Sequence, residues 1–235
     1  ALQDTKGYAE VKEAWLKQLK SKPESLPVLG HSAAFFLLND RELARASLQK
    51  ARALDTKNPK WPAALGQLYS LDAMKGSPEA KRIAAAKALE QLEIAYKLTT
   101  DVKFRSLHLT SIAKMAFAAN KPERAKQAAE KMLRERDESY NVGRVTHQGN
   151  IILGRVALLA GDVAKAKEHL LRAGDPESTA VLRSFGPNMA LAKELLEKGE
   201  KAVVLKYLEL CGQFWESGEA RLAEWTVAIK AGKVP

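Results

Sequence analysis

The residues able to do chemistry in this chain are four histidines, one cysteine and several close-set carboxylates. Catalysis needs a nucleophile, a base or a metal held next to a second polar group. His31, His108, His147 and His169 include no pair at the i, i+4 spacing that puts two metal ligands on one helix face. Cys211 stands alone, which excludes an internal disulfide and a thiolate cluster for zinc or iron–sulfur. His169 adjoins Glu168 and is expected on an exposed helix face, and the carboxylates at Asp137 and Glu138, and at Glu194 and Glu197, read as solvated. No G-x-x-x-x-G-K-S/T phosphate loop occurs, and Gly174-Asp-Pro-Glu-Ser reads as a turn that opens a helix. The chain is expected to be a non-enzyme with no metal and no cofactor.

Cations are the more informative charges. The chain has 38 Lys and Arg against 28 Asp and Glu in 235 residues, a formal net charge of +10. That excess suggests an acidic partner without choosing one. Lys and Arg divide 19 and 19 between residues 1–117 and 118–235, so no basic tail is concentrated anywhere. Nor is there an aromatic–basic motif of the single-strand-binding kind, and both features argue against nucleic acid. The composition, 46% hydrophobic and 28% charged, belongs to a folded globular chain long enough to bury a core. The longest apolar run, Ala33 to Leu38, is far too short to span a membrane. No signal-peptide h-region remains near the start, which lacks Met, so a cytoplasmic protein and an exported mature one both stay open.

The elements that must position these charges are helices. Ala and Leu dominate, and alternating strand patterns are hard to find. Polar turns at Asn39-Asp40, Asn120-Lys121, Gly161-Asp162 and Gly199-Glu200 divide helical segments into pairs, in keeping with helix stop and start chemistry. After each turn a small–large–small ladder recurs at i, i+4, i+7: Ala44–Leu48–Ala51, Ala125–Ala129–Met132, Ala166–Leu170–Ala173 and Val204–Leu208–Cys211. A related Ala88–Leu92–Ala95 ladder follows a longer connection. This spacing puts one narrow stripe on one helix face, where small residues let a second helix approach closely. Cys211, at a small position of its ladder, is expected as a buried inert thiol.

The helices before two of these ladders carry Leu65-Gly66-x-x-Tyr69 and Leu153-Gly154-x-x-Ala157. With the ladders they make the chain resemble the tetratricopeptide repeat (TPR) family, a helix–turn–helix repeat of about 34 residues. The best match runs through Leu153-Gly154, Ala157, Gly161-Asp162, Ala166, Leu170 and Ala173. In a second, Leu65-Gly66, Tyr69, Ala88, Leu92 and Ala95, extra residues around Met74 to Lys81 separate the halves as a lengthened helix or a loop. A third joins Ala44, Leu48, Ala51, Leu54 and Asp55 to Asn58-Pro59, with His31 and Ser32 in place of the Leu-Gly pair, so His31 is expected as a mostly buried, satisfied core histidine. The resemblance covers Leu26 to Trp215. It implies an all-α, right-handed superhelical solenoid of stacked antiparallel helix pairs, one domain over 1–235, with about five hairpins over 25–216. Caps are expected at 1–24, where Val11, Trp15 and Leu19 share a face, and at 217–235, where Leu222, Trp225 and Ile229 follow Phe214-Trp215. Trp225 offers an alternative reading as a binding or homodimer contact.

The resemblance also implies which positions face a ligand. Two residues after the Leu-Gly-type leucine, on the first helix of each hairpin, stand Ala33, Gln67, Lys114, Arg155 and Lys193. Asn150 and Asn188 recur three residues before the leucine, and Phe117 is among the apolar residues of the same surface. Stacked repeats would put Lys114, Arg155 and Lys193 in a row, an arrangement that is unfavourable without a counter-anion. The family's carboxylate clamp is not supported, because its further Lys and Asn positions hold Ala63, Thr110, Ile151 and Met189. The expected role is a scaffold binding a peptide or partner protein that carries acidic residues. The alternative is an anionic polymer, either nucleic acid or a cell-envelope polyanion, on the same basic stripe.

Overall fold

A computed structural model describes residues 5–135, 142–174 and 180–235. Among the described residues there are thirteen α-helices, one 3-10 turn and no strand. No helix among them is long and apolar enough to cross a membrane. The helices fall into two compact units, Ala1–Thr100 and Asp101–Pro235.

In the N-terminal unit, α1 (Thr5–Ser21), α2 (Leu26–Phe36), α3 (Arg41–Leu54), α4 (Lys60–Asp72) and α5 (Pro78–Leu98) pack each on the next. Asp40 caps α3 by accepting from the Leu43 backbone N–H, satisfying a donor that the first helical turn cannot. The extra residues near Gly76 form a short turn and then lengthen a helix: Ser77 caps α5, Pro78 opens it, and the helix runs 21 residues. Tyr8 of α1 stacks on Phe35 at 5.3 Å, and Trp15 and Leu19 pack against the α2–α4 core. Val11 is 44% exposed and does not share that contact.

The C-terminal unit holds α6 (Val102–Ala118), α7 (Pro122–Arg134), α8 (Val142–Leu159), α9 (Val163–Ala173), α10 (Ala180–Phe185), α11 (Ala190–Glu197), α12 (Lys201–Gly212) and α13 (Glu219–Lys230). Three hairpins here, α6–α7, α8–α9 and α11–α12, close with the same turn. Asn120, Gly161 and Gly199 adopt left-handed φ of 57°, 82° and 84°. The next residue then donates back to the carbonyl five positions earlier: Lys121 to Ala116, Asp162 to Ala157 and Glu200 to Leu195, at 2.8, 2.9 and 3.0 Å. This double closure satisfies the last carbonyls of the first helix and reverses the chain. First helices α6, α8 and α11 pack in succession, as do second helices α9 and α12, which is the arrangement of stacked hairpins.

All five ladders are buried, at 4% exposure or less for every residue. A Cβ on Gly154 would overlap the Leu191 side chain and come within 3.3 Å of the Ala166 carbonyl, so any larger residue needs Leu191 to move. Burial pushes the Cys211 thiol up to about 12, with a weaker opposing effect from the Tyr207 hydroxyl, which makes it the inert core thiol expected. Phe214 and Trp215 are buried beneath Leu222 and Ile229 of α13, and Trp225 lies tilted against Trp215 at 6.0 Å, half-buried.

Two histidines lie opposite to expectation. His31 is exposed, and its neighbour Ser32 is fully buried instead, donating to the Leu29 carbonyl and sharing a hydroxyl–hydroxyl hydrogen bond with Ser47 of α3. That polar pair lies on the buried face of α2, with Leu29, Ala33 and Phe36 beside Ser32. His169, read as solvated, is buried at 7% exposure. It stands at i+3 from Ala166, inside the stripe that packs on α8, where Asn150 supplies a partner for its ring.

Candidate functional site

On the α6–α8–α11 row, contacts bring together Phe117, Arg155 and Glu194 of the C-terminal unit. Arg155, on α8, touches both of the others. Its guanidinium sits 4.1 Å from the centre of the Phe117 ring of α6, a cation–π contact. From there Nε and Nη2 donate at 2.8 and 2.6 Å to a single carboxylate oxygen, Oε1 of Glu194 on α11. The side chains keep 27% and 30% of their surface, so the pair is accessible from solvent. Glu194, read from sequence as a solvated acid, is thus half-buried and paired, whereas Glu197 one turn on is exposed. Asp137 and Glu138 lie outside the described residues.

Lys114, on α6, is exposed by surface area, yet enough protein surrounds its ammonium for desolvation to lower its pKa below the usual 10.5. Repulsion from Arg144 of α8 lowers it further. Arg144 was not singled out in the sequence; it precedes the repeat signature by more than two turns, and only the α6–α8 packing brings it to Lys114. Lys193 is exposed on α11. It borders an apolar cleft of about 50 Å³ between α11, α12 and α13, lined also by Met189, Leu196, Leu208, Trp225 and Ile229.

The two asparagines do something else. Asn150 is buried, donating from Nδ2 to the Thr146 carbonyl at 2.9 Å and accepting from His169 Nδ1 at 2.9 Å. Asn188 precedes α11, because Gly186, at φ 77°, and Pro187 end the chain's helical path before it. Its backbone N–H donates to His147 Nε2 at 2.8 Å, and its side chain caps the Ala190 N–H at 3.0 Å. Both asparagines therefore hold the fold together rather than reach toward a ligand. Gln67 is exposed on α4 of the N-terminal unit.

His147 is held as one neutral tautomer. Nε2 must accept from Asn188, so the proton is on Nδ1, which donates to the Ala173 carbonyl at 2.8 Å. Burial lowers its pKa, the Ala173 carbonyl partly opposes this, and nearby Lys114 lowers it again. His169 is lowered chiefly by burial, with Arg172 and Lys165 adding to it, and His108 by burial alone. Among the described residues no three His, Cys, Asp or Glu side chains converge as a metal site. A comparison with protein-family models finds no match to this chain, and a search of curated proteins finds none either.

Proposed function

We propose that this chain is a TPR-type scaffold without catalytic activity, whose C-terminal unit binds an acidic amphipathic segment of a partner protein. The reading is supported by one observation above others: equivalent positions on three successive first helices are Lys114, Arg155 and Lys193. Apolar surface runs beside them at Phe117, Leu158 and the cleft next to Lys193. Apolar anchors would supply the affinity and the cations the orientation and on-rate. The engagement of His147 and His169 in fold-holding hydrogen bonds favours this over catalysis.

A fluorescein-labelled peptide of repeating Leu-Glu-Glu-Leu units tests the proposal by anisotropy. Lys114→Glu with Lys193→Glu should weaken its binding by about tenfold or more, with the circular dichroism spectrum unchanged. Equal binding by wild type and double variant would remove the groove from the account. A labelled polyphosphate that binds with a steep salt dependence, where the peptide does not bind at all, would favour the anionic-polymer reading.

A further inference from the structure

Within that same row, Arg155 already holds a carboxylate, and the way it does so is informative. A guanidinium and a carboxylate pair best through two parallel bonds to two oxygens. Glu194 instead gives one oxygen, Oε1, to both Nε and Nη2. The guanidinium also has a second contact, the Phe117 ring 4.1 Å away, that does not depend on Glu194. Glu194 retains 30% of its side-chain surface, so it can swing into water without opening the core.

We infer that Glu194 is a built-in stand-in for a ligand's carboxylate: a partner's acidic side chain takes the Phe117-stacked Arg155 guanidinium in its place. The inference rests on the proposed groove and names its central contact. The ligand chemistry is a carboxylate that offers both oxygens to the Nε–Nη2 edge of the guanidinium. Glu194 then acts as an internal competitor, weakening acidic ligands and leaving Arg155 satisfied when none is bound. A half-buried Arg–carboxylate pair that stays open to solvent adds only modestly to stability, so its exchange for a better-matched pair costs little. No bond is made or broken covalently, and no proton moves.

The test uses the same Leu-Glu-Glu-Leu peptide with the full chain. Glu194→Gln removes the charge while keeping an oxygen that can accept from Arg155, so orientation survives and competition falls. Glu209→Gln, in the exposed Lys206–Glu209 pair on α12, removes the same charge away from the row. Glu194→Gln should tighten binding about threefold to fivefold, the scale of one half-exposed ion pair, with Glu209→Gln unchanged. Tightening that is equal in both variants would reduce the effect to net charge and overturn the inference. Unchanged or weaker binding in Glu194→Gln would overturn it too, and would make Glu194 a positioning residue for Arg155. If wild type itself fails to bind the peptide, the groove reading falls and this inference falls with it.

Discussion

Both units use glycine contacts and ion pairs between helices, Gly66 against Leu92 in the first and Gly154 against Leu191 in the second, but they differ in how regularly their hairpins close. In the N-terminal unit, helices are tied by charged side chains across their contacts: Asp72 accepts from Arg41 at 2.9 Å and Arg45 at 2.8 Å, and Arg52 donates to Gln91. The α2–α3 contact is a hydroxyl pair, Ser32 to Ser47. In the C-terminal unit the corresponding contact is Gly154 against Leu191 and Ala166, and three hairpins share one left-handed turn. Regular closure there goes with first helices that pack in succession, and that packing brings Arg155 and Glu194, 39 residues apart, into contact. Charge follows the same division. At the positions that the repeat resemblance aligns stand Ala33, buried in the core, and exposed Gln67 in the first unit, and Lys114, Arg155 and Lys193 in the second.

The sharpest way to break this comparison is to put bulk at the glycine contact. Gly154→Val should cost about 3 kcal/mol or more, because the added carbons meet Leu191 and the fixed Ala166 carbonyl. Ser32→Ala, at the equivalent place in the first unit, should cost about 1 kcal/mol for one lost hydrogen bond. Lys165→Val, exposed on α9, should be within about 0.5 kcal/mol of wild type. Urea denaturation ranks the three, and equal costs would mean that the two contacts are not equivalent positions of one repeat.

Acid should weaken the second unit next. Its His147, His169 and His108 have folded pKa values below the ordinary 6.5, so the unfolded chain takes up protons first. Their contribution is complete above about pH 6.5 and is lost as pH falls below it. Each fully displaced histidine contributes a slope of about 1.4 kcal/mol per pH unit. His147→Gln should flatten that slope between about pH 6.5 and 5 while lowering stability at neutral pH. A slope unaltered by the change would place the acid-sensitive group elsewhere.

Smaller still is the ionic tie of the first unit. Asp72→Asn leaves Arg41 and Arg45 without their shared acid while they remain about one-fifth exposed, and should cost about 1 kcal/mol. Arg183→Gln, which removes the exposed partner of Glu216, should be near neutral by the same measurement.

Much of this could be read from the chain alone, for a physical reason. Small–large–small ladders report close helix contacts directly, and Gly161-Asp162 or Gly199-Glu200 state a helix end and the next cap in adjacent residues. The orientation of single polar side chains could not be read that way. The burial of Ser32 in place of His31, and that of His169, each go with a partner from the facing helix, Ser47 for Ser32 and Asn150 for the ring of His169. Asn188 matched Asn150 by spacing, but Gly186 and Pro187 end the helix before it, so the equivalence is lost. Lys114, Arg155 and Lys193 were visible as a recurring position, whereas Glu194 and Arg144 acquire meaning only from helices that meet through packing.

The central claim, that the C-terminal row receives an acidic segment, is tested most directly by amide NMR of the labelled chain as the Leu-Glu-Glu-Leu peptide is added. The account predicts shifts concentrated at Lys114, Phe117, Arg155, Leu158 and Lys193, with Gln67 unmoved. Shifts centred on α4 around Gln67, or on the ladder helices α7, α9 and α12, would contradict it.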